Sequence, residues 1–118
     1  MAIEFHLTKP VARVTATGKQ PLAEALDVSA YDYIDAELGV HSLTGTDITV
    51  EIITGMQKDT ESGWVPLLTF TSVTQNDIFE PMSTVGTGKM LKYIRWNVSI
   101  FTAPTAAVFS VWGMLRKN

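Results

Sequence analysis

Alternation of apolar and polar side chains at every second residue constrains the fold of this chain more than any other feature. It is clearest over residues 89–101. One face of that segment carries Met90, Lys92, Ile94, Trp96, Val98 and Ile100, and the other carries Leu91, Tyr93, Arg95, Asn97, Ser99 and Phe101. Because successive side chains of an extended strand point to opposite faces of a sheet, this period predicts a strand. Long helical periodicity is scarce, so the pattern predicts a protein built from strands.

We expect about eight strands, separated by segments rich in turn-forming residues. They fall at residues 11–17, 25–28, 31–40, 48–53, 64–73, 78–82, 89–101 and 107–115. Strands at intervals of about 8–12 residues are typical of sandwiches and barrels. The chain has 118 residues, which is enough for one hydrophobic core. The sequence therefore predicts a single all-β domain over residues 1–118, an antiparallel β-sandwich of jelly-roll type.

Composition and motifs argue against several classes of function. The net charge of −3 and the isoelectric point of about 5.2 exclude a generally cationic nucleic-acid binder. The absence of Cys excludes disulfides, thiolate metal sites and a Cys nucleophile. No Gly-x-Ser-x-Gly motif occurs, and neither His6 nor His41 has neighbours at metal-ligand spacing. We expect a protein that is not an enzyme, with no catalytic residue, no cofactor and no metal.

The termini and apolar segments indicate where the chain is made. Residues 1–9 lack the basic start and the apolar stretch of a secretory signal. The longest uncharged segment, residues 97–115, is interrupted by Thr, Pro, Ser and Gly, so it predicts strands and not a membrane-spanning helix. We therefore expect synthesis in the cytoplasm and no membrane partner.

Charge is unevenly distributed. Residues 20–61 hold nine acidic side chains and one basic, while residues 78–118 hold five basic and one acidic. Oppositely charged strands can pair within one sandwich, or oppositely charged surfaces can meet between copies of the chain. Asp35 and Glu37 share one strand face, where they form either a paired-carboxylate site or a solvated outer surface. Both alternatives stay open at this point.

The three tryptophans are candidates for a stacking platform. Trp96 and Trp112 lie in the middle of apolar strands, which predicts that both are buried in the core. Trp64 follows a glycine at the start of a strand, so we expect it to be partly exposed. Of the three, Trp64 is the best candidate for contact with a ligand.

Three short stretches resemble discoidin-like (galactose-binding-like) sandwich domains. They are residues 48–54, residues 63–67 with Gly63-Trp64, and residues 92–96 with a Tyr-Ile-Arg strand. The resemblance implies a carbohydrate-binding module that would use Trp64, Arg95 and Asp59. The chain is small for that family and lacks its usual pair of cysteines.

The chain as a whole resembles small virion proteins of tailed bacteriophages. They are of this size, rich in Thr and Ala, free of Cys, and often carry a strand like residues 92–96 followed by an apolar return strand. The resemblance implies a head decoration (cement) protein that bridges neighbouring capsid subunits. It also implies a virion location, partners among further copies of the chain (a trimer) and the major capsid protein, and synthesis in the host cytoplasm. A tail or baseplate component is the open alternative, and no site residue can be carried over.

The N-terminal segment, residues 1–9, alternates Ile3, Phe5 and Leu7 with polar residues. This pattern suits an arm that docks on a neighbouring subunit by adding a strand to an exposed sheet edge. It suits an ordinary first strand of the same domain equally well.

Overall fold

The computed structural model describes residues 2–84, 90–102 and 106–117. Within these ranges the chain forms ten strands and one short 3-10 helix, Leu22–Glu24. The strands are β1 (Ala2–His6), β2 (Ala12–Val14), β3 (Gly18–Lys19), β4 (Leu26–Asp27), β5 (Tyr33–Thr44), β6 (Asp47–Gly55), β7 (Val65–Thr69), β8 (Ile78–Ser83), β9 (Tyr93–Thr102) and β10 (Ala106–Arg116).

The strands form two antiparallel sheets that pack face to face. Sheet A has the order β1-β10-β5-β8, and β2 continues along β10 where β1 ends. Sheet B has the order β3-β9-β6-β7, and β4 continues along β9 beyond β3. When β1 is counted with β2, and β3 with β4, the described residues form eight strand positions. Their orders are 1-8-3-6 and 2-7-4-5, the two interleaved Greek keys of a jelly roll. The predicted fold is therefore confirmed.

The core lies between the two sheets and is filled by the inward-facing side chains of the long strands. Its deeply buried apolar members include Ile34, Leu38, Val40, Phe109 and Val111 from sheet A, and Ile48, Val50, Ile52, Ile94 and Val98 from sheet B. Trp96 packs edge-to-face on Phe109, with ring centroids 5.2 Å apart, and so joins the two sheets. Trp96 is half-buried and packs against the core, so its predicted position is confirmed although its burial is incomplete.

A β-bulge in β9 corrects the simple alternation predicted for residues 89–101. Val98 pairs with Val50, but Ile100 pairs with Thr49, so Ser99 is an extra residue in the ladder. A bulge of this kind reverses the faces of the residues beyond it. Phe101 therefore packs against the core, and Ile100 is 49% exposed instead of sharing the inner face with Val98.

Several predicted strand boundaries were wrong. The strand expected at residues 11–17 is only the three residues of β2, and the one expected at residues 64–73 ends at Thr69. Conversely, β5 runs beyond residue 40, to Thr44, because it pairs with β10 as far as Ala106. The segment expected from residue 89 begins as a strand at Tyr93, and residue 89 itself lies outside the described residues. The end of each strand depends on the strand with which it pairs, and local sequence propensity gives no information about that pairing.

Candidate functional site

The N-terminal segment forms part of its own sheet. β1 pairs with β10 over five residues, and the Leu7 amide donates to the carbonyl of Val111 at 2.9 Å. Phe5 and Leu7 are buried in the core, while Ile3 is 49% exposed. Of the two alternatives, residues 2–6 are the ordinary first strand. Phe5 and Leu7 are therefore not available to a partner in this structure, which corrects their assignment to a docking arm.

The outer face of sheet B carries the residues predicted to bind a ligand in the discoidin-like interpretation. Arg95 lies on β9 and is 1% exposed. Its Nε donates to the Gln20 carbonyl at 2.8 Å, and its two terminal nitrogens reach both carboxylate oxygens of Glu61, at 3.0 and 3.2 Å. The guanidinium carbon lies 4.7 Å from the centroid of the Trp64 ring. The structure thus brings Trp64 and Arg95 together, as a cluster that we call the Arg95 clamp.

The Arg95 clamp holds down the loop between β6 and β7. The Trp64 indole nitrogen donates to the Thr60 carbonyl at 2.9 Å, and its ring lies close over Gly55. Asp59 is exposed in the same loop, with no hydrogen bond or ion pair to the described residues. Trp64 is half-buried, as its position at a strand start predicts. The guanidinium is occupied by protein groups, so the arrangement serves first to close the loop on the sheet.

Electrostatic pairs join the acidic and basic segments of the chain. Arg95 holds Glu61, and hydrogen bonds from this guanidinium lower the pKa of the Glu61 carboxyl below its ordinary value. Arg116 binds Asp35 across sheet A. Each pair links residues 20–61 with residues 78–118. This is pairing within one sandwich, the first of the two interpretations of the uneven charge.

Asp35 gives the fold a measurable pH dependence. The hydrogen bond from Ser83, supported by Arg116, lowers the pKa of the Asp35 carboxyl. A lowered folded-state pKa means that ionised Asp35 stabilises the fold above the ordinary Asp pKa, and that this stabilisation is lost as pH falls through the folded-state pKa. We expect the urea midpoint to fall between about pH 5 and pH 2, and to fall less in Asp35→Asn. Asp59→Asn is the control, and equal pH profiles for Asp35→Asn and wild type would contradict the assignment.

The outer face of sheet A carries a row of side chains that sequence reasoning did not connect. The register places His6, Trp112, Glu37 and Pro81 side by side on four adjacent strands. Trp112 is 37% exposed, so the prediction that it is buried was wrong. Trp112 points to the same side of β10 as Ser110. The buried residues of this strand alternate with them and point to the other side; they are Ala107, Phe109, Val111, Gly113 and Leu115. Residues so distant in the chain show no common motif, and only strand pairing unites them.

Carboxylates and histidines on this face take part in local contacts. The Trp112 indole nitrogen donates to Glu37 at 3.2 Å, and the His41 ring bonds the Ser110 hydroxyl at 3.0 Å. Asp35 and Glu37 lie on the outer face, as the second of their two interpretations holds. Among the described residues, no group of three or more His, Asp or Glu side chains is arranged to hold a metal ion. In the same part of the chain, no helix has the length and apolarity to cross a membrane.

Four of the seven large apolar side chains that are exposed among the described residues lie at the edges of the sheets, and the other three are Met56, Ile100 and Trp112. Ile3 is on β1 and Phe79 on β8, the two edges of sheet A, while Val65 is on the edge strand β7 of sheet B. Val11 lies between β1 and β2. Edge strands present unpaired backbone groups that can pair with another chain. The edges are therefore the places where apolar surface and free backbone groups coincide.

Comparisons with known proteins give structural neighbours only. No model of a protein family matches the sequence, and no curated protein matches it. One similar solved structure is the SPBc2 prophage-derived protein YomS, with a TM-score of 0.49, 10% identity, and coverage of 97% of this chain and 93% of that one. Another comes from Bacillus endospore appendages, described as a family of disulfide-linked pili, with a TM-score of 0.45, 13% identity, and coverage of 100% and 85%. Neither description names a discoidin-like domain, and neither likeness is close enough to carry an argument about function.

Proposed function

We propose that this chain is a non-enzymatic structural protein of a phage or prophage particle, and that it decorates the capsid and stabilises neighbouring capsid subunits. The observation that supports this most directly is the presence of exposed apolar side chains, Ile3, Val65 and Phe79, on three edge strands. A rigid jelly roll with such edges is suited to adding strands from neighbouring proteins. The partners in this proposal are the major capsid protein and further copies of the chain, in a trimer.

The β1 edge is the strongest candidate for this contact. Pro66 interrupts β7, and Pro81 interrupts β8, so both of these edges lack a backbone donor. β1 contains neither Pro nor Lys, residues that commonly block pairing at an edge. Among the described strands, β1 pairs with β10 alone, and the exposed side chain of Ile3 adds apolar surface to this edge. In this proposal the N-terminal segment contributes an edge that receives a partner strand.

Particle purification tests the proposed location. Antibody to the chain is used to follow it through a density gradient of particles released by induction of the strain that carries the gene. We expect the chain to sediment with the particles in proportion to the capsid protein. Gradients that separate heads from free tails distinguish decoration from the tail or baseplate alternative. A chain that stays in the soluble fraction contradicts the proposal.

Substitution of Ile3 tests the β1 edge. Ile3→Lys places a charge beside the strand that would be added, and we expect it to reduce incorporation into particles about tenfold or more. Ile100→Lys is the matched control, because Ile100 has the same exposure of 49% but lies on β9 of sheet B, away from the β1 edge. Both variants should keep the wild-type circular dichroism. Equal incorporation of the two variants would contradict a role for the β1 edge.

Solution mass tests the proposed trimer. Light scattering over a range of concentrations is expected to show a stable trimer or larger closed assembly, and Ile3→Lys is expected to shift it towards monomer. A wild-type monomer at every concentration, both free and on purified particles, would contradict self-association.

A further inference from the structure

Trp112 is held as a fixed platform in the middle of the outer face of sheet A. Its ring lies nearly parallel to that of His6, with an interplanar angle of 20° and centroids 6.2 Å apart. Its indole nitrogen is fixed by Glu37 at 3.2 Å. A ring held in this way loses little conformational entropy when a ligand stacks on it.

Trp112 also borders two shallow, open concavities. One, of about 500 Å³, has a mostly apolar lining that includes Pro81 and Met114. The other, of about 470 Å³, is lined by both histidines of the chain and by Ser110. Concave, largely apolar surfaces with a few fixed polar groups are typical of small-ligand sites.

We propose that this face binds a neutral saccharide. One pyranose ring stacks on Trp112, and the adjoining sugar units of the same saccharide lie in the two concavities. The C–H face of a pyranose suits the electron-rich face of an indole. Its hydroxyls can donate to Glu37 and exchange hydrogen bonds with His41 and Ser110. The site includes Glu4 and His6 of β1 but not Ile3, and it does not depend on the proposed particle function.

The polar groups favour a saccharide over a protein surface at this position. Glu4, Glu37 and the two histidines surround the platform, and a protein partner would remove them from water at a large desolvation cost. Hydroxyl groups both donate and accept, so a sugar satisfies these side chains and leaves the rim partly hydrated. The carboxylates repel acidic sugars, which makes a neutral saccharide the favoured class.

Calorimetric titration of the full chain with four probes tests the proposal. The probes are cellohexaose, maltohexaose, chitohexaose and a galactan oligosaccharide, with an acidic alginate hexasaccharide for comparison. We expect at least one neutral probe to bind with a dissociation constant of about 1 mM or tighter, and the alginate probe to bind more weakly. Binding should also change the fluorescence of the exposed Trp112.

Paired tryptophan variants locate the site. Trp112→Ala is expected to weaken binding about tenfold or more, whereas Trp64→Ala, on the opposite sheet, leaves the affinity unchanged. Glu37→Ala removes the carboxylate that holds the Trp112 indole nitrogen, and this second variant is also expected to weaken binding. Circular dichroism checks that each variant is folded. The proposal is overturned if no neutral probe binds at about 10 mM, or if Trp64→Ala is the variant that loses binding. Self-association that depends on Trp112, without sugar binding, would identify a protein interface and also overturn it.

Discussion

Replacement of Arg95 by alanine is expected to lower the free energy of unfolding by about 3–5 kcal/mol. Arg95 is almost completely buried, and its loss leaves a cavity beneath the loop between β6 and β7. It also removes two hydrogen bonds from the Gln20 carbonyl, which is then left without these donors. The loss is measured by urea unfolding at neutral pH, followed by circular dichroism.

Two further variants complete this test, a conservative substitution of Arg95 and a control in the same loop. Arg95→Lys keeps the charge but cannot form the two-pronged contact with Glu61, so we expect an intermediate loss. Asp59→Ala changes an exposed residue of the same loop and should lie within about 0.5 kcal/mol of wild type. If Arg95→Ala were as stable as wild type, the clamp would not be structural, and the use of Arg95 by a ligand would regain support.

Gly113→Ala is expected to destabilise the fold by about 3 kcal/mol, although it adds one methyl group. A Cβ at this position would lie 2.0 Å from the carbonyl oxygen of Asp35 and 2.8 Å from the Cα of Ala36. Both atoms belong to the backbone of β5, which pairs with β10 along most of its length. The two central strands of sheet A would have to separate, since backbone atoms cannot rotate aside as side chains do.

Gly39→Ala provides the matched control in the same sheet. Its added Cβ would meet the Phe79 ring at 2.8 Å and the Ser110 hydroxyl at 3.0 Å. Phe79 is 54% exposed and can turn into solvent, so we expect a loss of about 1 kcal/mol or less. Comparison of the two unfolding midpoints tests whether contact with backbone or with side chain decides the cost. Equal losses would contradict this explanation.

The local sequence pattern predicted the class of fold, but it did not predict where along a strand the side chains switch from one face of the sheet to the other. Alternation correctly placed Ile94, Trp96 and Val98 on one side of β9. It failed at Ile100, because the extra residue Ser99 arises from the register with β6. It failed for Trp112 for a different reason, since an apolar neighbourhood in sequence does not state which face of β10 is the inner one.

The candidate sites were likewise predictable from the sequence only in part. The discoidin-like resemblance implied that Trp64, Arg95 and Asp59 would bind a ligand. The structure brings Trp64 and Arg95 together, but only the contacts with Gln20 and Glu61 reveal that the guanidinium is enclosed by protein groups. His6 and Trp112 lie side by side in this row although they are 106 positions apart in the chain, so no local motif connects them with Glu37.

The sequence by itself determined that the chain is all-β, that it is a two-sheet sandwich, and that it lacks cysteine chemistry. These properties follow from the two-residue period and from composition, which are local or additive quantities. Only the tertiary structure decided that residues 2–6 pair with β10, that Arg95 and Arg116 bind Glu61 and Asp35 of the acidic segment, and that Trp112 is exposed. Each of these depends on strand pairing between distant segments, and a one-residue change of register reverses every face.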